Sequence, residues 1–89
     1  MLFAGRRGPD VAERQGLLNA LADIGDPFGQ TNLPELDPDG VYGSKTTMRV
    51  KEFQSRNRLH IDGVIGPKTD TRMDDLWIEY LNKNQPPAE

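Results

Sequence analysis

An eight-residue phrase occurs twice in this chain and constrains its fold more than any other feature. Asp39-Gly40-Val41-Tyr42-Gly43-Ser44-Lys45-Thr46 returns 23 residues later as Asp62-Gly63-Val64-Ile65-Gly66-Pro67-Lys68-Thr69. The same offset pairs Arg49 with Arg72, Val50 with Met73 and Phe53 with Leu76. A repeat of this period marks a supersecondary unit that cannot bury its apolar side alone. In each copy the aspartate can bond its own backbone, and the first glycine supplies a positive φ. The second glycine suits a helix N-cap, and Pro67 fits the first helical position. The unit is a turn that starts a helix. Asp39, Gly40, Gly43 and Thr46, with Asp62, Gly63, Gly66 and Thr69, are therefore read as structural turn residues.

The rest of the chain must complete a core around this pair. Residues 1–8 read as a flexible lead-in with little to bury. Pro9-Asp10-Val11-Ala12-Glu13 reads as a helix start in which Asp10 accepts from free N–H groups and Glu13 reaches back. Val11, Leu17, Leu18, Leu21 and Ile24 follow at helical spacing, and Gly25 with Pro27 ends the run. Residues 25–38 hold three prolines and two glycines, which exclude a regular helix. Phe28, Leu33 and Leu36 are its expected inward anchors. The second helix is expected over 44–57, burying Val50, Phe53 and either Met48 or Thr46. Leu59 and Ile61 alternate inward in the link that follows. The third helix is expected over 67–82, with Met73, Leu76, Trp77, Tyr80 and Leu81 on one face. Residues 83–89 read as a tail or linker stub. The predicted fold is all-α: a three-helix bundle over residues 9–82 with long irregular connections.

Composition narrows the function. Eighty-nine residues make one domain. With no cysteine, neither a disulfide nor a thiolate zinc site can reinforce the core. The net charge of −3 argues against nucleic acid as a partner. The start of the chain is not a secretory signal, because its charges follow a short apolar part. No stretch approaches the roughly 20 apolar residues of a membrane span.

No catalytic constellation emerges. The chain has one histidine, His60, and its serines, Ser44 and Ser55, lack a nucleophile-elbow context. Asp37-Pro38-Asp39-Gly40 opens like a calcium loop, but the twelfth position is Met48 where an acidic ligand is needed. No metal and no cofactor are expected. Asp70, Asp74, Asp75 and Glu52 read as a solvated helix surface. Arg49, Lys51, Arg56 and Arg58 gather on the second helix and its end. They raise a DNA-binding three-helix domain as one alternative, although basic residues near a helix C-terminus also suit the dipole.

The ordered motifs resemble the peptidoglycan-binding-domain-like family of small three-helix modules. Val11, Gln15 and Leu18 fit its first helix. Asp39-Gly40-Val41-Tyr42-Gly43, Thr46, Val50 and Phe53-Gln54 fit its central turn and second helix. Leu59, Asp62-Gly63, Gly66, Thr69 and Leu76 fit the closing turn and third helix. The resemblance implies a non-catalytic module for bacterial wall glycan or stem peptide, working in the cell envelope beside a catalytic domain or within a larger assembly. A protein-docking module of a phage or secretion assembly is the other alternative. The loop before the first turn is longer than the family usually has, and Arg14 and Arg49 stand where the family favours alanine or an aliphatic residue. Greater exposure or a covering carboxylate would accommodate them. Tyr42 in the turn is expected to be a half-exposed contact. Ser44, which differs from its counterpart Pro67, and Arg49 or Arg72, which could hold a carboxylate in a bidentate contact, complete the expected ligand-binding set. No nucleic acid and no membrane are expected as partners.

Overall fold

The computed structural model describes residues 1–25 and 31–84. Three helices form: α1 (Pro9–Ile24), α2 (Ser44–Arg56) and α3 (Pro67–Lys83). Among the described residues there are no strands beyond two isolated antiparallel bridges, Leu2 with Ile65 and Arg7 with Val41. Gly43 and Gly66 are the N-caps of α2 and α3, and Pro67 opens α3. Gly25, at φ 87°, closes α1. The start of α1 differs in part from expectation. Gly8 is the N-cap and offers no side-chain bond; Asp10 Oδ1 accepts from Val11 N–H at 3.0 Å, as expected, but Glu13 pairs with its neighbour Arg14 and does not reach back. The Gly8 carbonyl accepts from Ala12 N–H, which starts the backbone ladder of the helix.

The core is assembled from every part of the chain. Val11, Leu18 and Leu21 of α1 meet Val50 and Phe53 of α2 and Met73 and Leu76 of α3. Leu36 of the long connection and Tyr42 and Ile65 of the two turns close it. Each fully buried aliphatic or aromatic side chain contributes about 1.5–3 kcal/mol over its exposed state. Leu17, Ile24, Leu59, Trp77 and Tyr80 pack around the edge, with the Trp77 and Tyr80 rings stacked at 5.6 Å. Thr46 is the buried member of its pair and Met48 is exposed. Ile61 and Leu81, expected inward, are exposed, while Leu59 of the same link packs against the core. Leu33 is half-buried, and Phe28 lies outside the described residues. Lys83 belongs to α3 rather than the tail.

Residues 1–8 are not a loose lead-in. Leu2 exchanges two backbone hydrogen bonds with Ile65, at 3.1 and 2.8 Å, and its side chain is buried. Further along, Gly5 N–H donates to Tyr42 O, Tyr42 N–H donates to Arg6 O, and Gly8 N–H donates to Gly40 O. The segment is a strap across both repeated turns. It satisfies backbone groups that would otherwise be left unpaired beside the core.

Candidate functional site

Each repeated turn is held by one buried glutamine from the helix before it. In the first copy Gln15 of α1 accepts from Gly40 N–H at 3.0 Å and donates to Val41 O and Thr46 Oγ1, both at 2.9 Å. In the second copy Gln54 of α2 accepts from Asp62 N–H at 3.1 Å and Gly63 N–H at 3.0 Å. It donates to Val64 O and Asp62 Oδ1, both at 2.9 Å, and to Thr69 Oγ1 at 3.1 Å. A carboxamide suits this position because one group both donates and accepts. The aspartates cap their own turns: Asp39 Oδ1 accepts from Val41 N–H and Asp62 Oδ1 from Val64 N–H, both at 2.9 Å. These bonds, first the Val64 N–H and then Gln54, hold the Asp62 carboxyl below its ordinary range. Gly40 and Gly63 take φ of 81° and 73°, the left-handed region that the turn requires.

Two of the expected ligand-binding residues are structural. Tyr42, expected half-exposed, is 1% exposed. Its hydroxyl donates to Gly63 O at 2.6 Å, so the ring links the two turns through the interior. Burial, helped by the Asp62 charge, pushes its phenol well above the ordinary range. Arg49 is 4% exposed. Its guanidinium donates to Leu18 O at 3.0 Å, Pro34 O at 3.1 Å and Asn19 Oδ1 at 3.3 Å. Asn19 in turn clasps Leu36 through both its N–H and its carbonyl. Main-chain carbonyls, not a carboxylate, accommodate this arginine, and it pins the long connection to α1. Burial lowers its pKa, against the charges of Glu52, Asp23 and Glu35 that raise it.

Arg14 follows the expected alternative of a covering carboxylate. It donates to Asp74 at 2.8 Å and lies 3.2 Å from Asp70, which joins α1 to α3. Burial works to lower its pKa, but the bonds to Asp74 and Glu13 and the charges of Asp70 and Glu13 outweigh it and hold it above its ordinary value. Arg14, Glu13 and Asp70 of this network line a groove of about 620 Å³ together with Met1, Asp10 and Pro67.

Ser44 and Arg72 remain accessible, and they lie on different grooves. A groove of about 380 Å³ follows the first turn, lined by Glu35, Asp37, Asp39, Ser44 and Lys45. A groove of about 500 Å³ follows the second, lined by Met1, Leu59, His60, Val64, Pro67 and Lys68. Arg72 sits on the adjoining depression, which shares Leu59, Pro67 and Lys68, and its Nε donates to Asn57 Oδ1 at 3.2 Å. The four expected residues are therefore not brought together. Among the described residues no group of acidic, histidine or cysteine side chains could hold a metal ion. None of the described helices is long and apolar enough to cross a membrane.

Sequence reasoning did not give the two glutamines their role as turn clamps. Their signal is weak because they fall outside the repeat register, 24 and 8 residues before the aspartate each one meets. Tyr42 did carry a signal, since its counterpart Ile65 is aliphatic and both positions face the core.

Comparison with known proteins agrees with this architecture. The sequence model of a family described as "Putative peptidoglycan binding domain" matches residues 7–73. A probable N-acetylmuramoyl-L-alanine amidase of Bacillus licheniformis is 39% identical over 67 residues, covering 75% of this chain. The chain spans 18% of that relative's length. No solved structure gives a significant match.

Proposed function

Because the chain belongs to the putative peptidoglycan binding domain family, we propose that it is a non-catalytic module that binds bacterial cell-wall peptidoglycan and holds a partner at the wall. The observation that carries this reading is the family match across both repeated turns. The structure supports it in a second way. Several of the carboxylates weighed for catalysis have structural duties: Asp62 caps a turn, and Asp70 and Asp74 hold Arg14 between two helices. What remains accessible are shallow grooves, which suit recognition of an extended polymer.

The amidase relative is more than five times longer than the matched segment. A module of this kind beside a catalytic unit raises the local concentration of that unit on an insoluble substrate. We place the working location at the cell envelope on the same grounds. The test is incubation of the chain with purified insoluble peptidoglycan. The chain should sediment with the wall and release neither new reducing ends nor new amino groups. Release of either would refute the non-catalytic reading, and failure to sediment with any wall chemotype would refute wall binding.

A further inference from the structure

The two grooves are built on equivalent residues yet differ in character. Leu36, Asp39, Val41, Gly43 and Lys45 of the first correspond, at the 23-residue offset, to Leu59, Asp62, Val64, Gly66 and Lys68 of the second. The same backbone frame therefore supports both. One matched lining position loses its negative charge: Asp37 of the first groove corresponds to His60 of the second. The first groove keeps three carboxylates, Glu35, Asp37 and Asp39, against Lys45. The second has apolar walls from Met1, Leu59, Val64 and Pro67, with Lys68 at its edge.

Lys68 forms no ion pair with any of the described residues. Arg72 lies next to it on the adjoining depression, and Lys51 packs over the same turn, its Cε 3.1 Å from where a Gly63 Cβ would stand. The carboxylates on this rim are Asp62 and Asp75. Asp62 is turned onto Val64 N–H and Gln54 Nε2, which leaves its charge partly satisfied from within.

We propose that the groove over the second turn, and not its counterpart over the first, takes the ligand, and that the occupant is a peptide carboxylate flanked by small alkyl side chains. This rests on the wall-binding reading and assigns the contact to the stem peptide rather than the glycan. Charge complementarity selects the groove: an anion meets Lys68 and Arg72 beside Asp62 and Asp75 at the second turn, but a single lysine, Lys45, against Glu35, Asp37 and Asp39 at the first. The apolar walls select the neighbouring chemistry. Methyl groups of alanine-like residues can bury against Leu59, Val64 and Pro67 while the carboxylate meets Lys68 and Arg72; a neutral sugar lacks the carboxylate, and a polyol phosphate lacks the flanking methyl groups.

The experiment is a backbone-amide NMR titration of the intact chain with three soluble probes. These are an alanine-terminated tetrapeptide with free carboxylates, an N-acetylglucosamine oligomer and a glycerol phosphate polymer. The peptide should shift Leu59, Val64, Lys68 and Arg72 saturably. Lys68→Glu should weaken it about tenfold or more, the loss of one charge-assisted contact. Lys45→Glu at the matched position should leave peptide affinity unchanged. Both lysines are exposed in the first turn of a helix, where an acidic residue suits the dipole and the fold is kept. Equal losses from both variants would overturn the proposal. So would peptide shifts confined to 35–46, no saturable peptide shift, or the sugar or phosphate polymer shifting these amides in the peptide's place. Sedimentation with intact wall is scored separately: a chain that sediments but binds only the sugar probe refutes this assignment and leaves wall binding standing.

Discussion

Replacing Gln54 by alanine tests the turn-clamp account most sharply. The side chain is 1% exposed and engages Gly63 N–H, Val64 O and Thr69 Oγ1, besides both polar groups of Asp62. Asp62 is exposed and can turn to water. Gly63 and Thr69 are buried, and each buried group left unpaired costs about 1–3 kcal/mol. The Thr69 hydroxyl can rotate towards another acceptor, so the lower half of that range applies to it. The truncated methylene and amide also leave a cavity that the turn cannot fill. The expected loss is about 3–4 kcal/mol. Domains of this length hold roughly 4–13 kcal/mol in total, so the variant should be close to its folding limit at 37 °C. Urea unfolding followed by far-ultraviolet circular dichroism measures the change. Thr69→Val should cost about 1 kcal/mol, and the double variant should cost less than the sum, because the two groups share one bond. A loss below about 1 kcal/mol for Gln54→Ala, or strict additivity with Thr69→Val, would refute the clamp.

Four further outcomes follow from the geometry. Tyr42→Phe leaves Gly63 O without its donor and should cost about 1–2 kcal/mol while wall sedimentation of the folded protein stays unchanged; lost sedimentation would return Tyr42 to the ligand site. The raised Tyr42 phenol favours the protonated folded state, so its contribution is full below the ordinary tyrosine range and is lost as pH rises above about 10; urea midpoints should fall over that window in the wild type and less in Tyr42→Phe. Asp62 has the opposite sign: its depressed pKa contributes stability above the ordinary value of 3.8 that is lost as pH falls below it, and Asp62→Asn should flatten the acid limb. Gly40→Ala should destabilise more than Gly63→Ala. A Cβ at Gly40 meets the Gly8 carbonyl oxygen, a backbone atom, at 2.9 Å, whereas one at Gly63 meets side chains only, Thr47 Cγ2 at 2.9 Å and Lys51 Cε at 3.1 Å, of which the lysine can swing away and the threonine can turn at the cost of its bond to Gly43 O; equal losses in thermal unfolding would contradict this.

Much of the fold was legible because its punctuation is local. Gly25, Gly43, Gly66 and Pro67 act within a residue or two of themselves, so the helix limits could be read from neighbours alone. The three-helix architecture followed from the repeat and the apolar stripes. What escaped depends on partners distant in sequence. The strap at residues 1–8 buries only Leu2, and most of its fixed points are backbone bonds to 40, 42 and 65, which no side-chain pattern announces. Arg49 looks like a surface base until Leu18 and Pro34 supply carbonyls from other elements. The candidate site was the least legible part. Two of its four expected residues, Tyr42 and Arg49, proved to be internal ties, while Ser44 and Arg72 fell on separate grooves. The aspartates, glycines and threonines of the repeated phrase are scaffold. The grooves differ where the copies or their surroundings differ: Glu35, Asp37 and Ser44 line the first, and Met1, His60 and Pro67 line the second.

The most direct measurement is a binding isotherm of the purified chain on insoluble peptidoglycan, read as the fraction sedimenting across a range of wall concentrations. Wall binding by a folded module predicts saturable sedimentation that is reduced in proportion to unfolding in Gln54→Ala. A chain that stays in the supernatant at every concentration and with every wall chemotype, while circular dichroism shows it folded, would contradict the account.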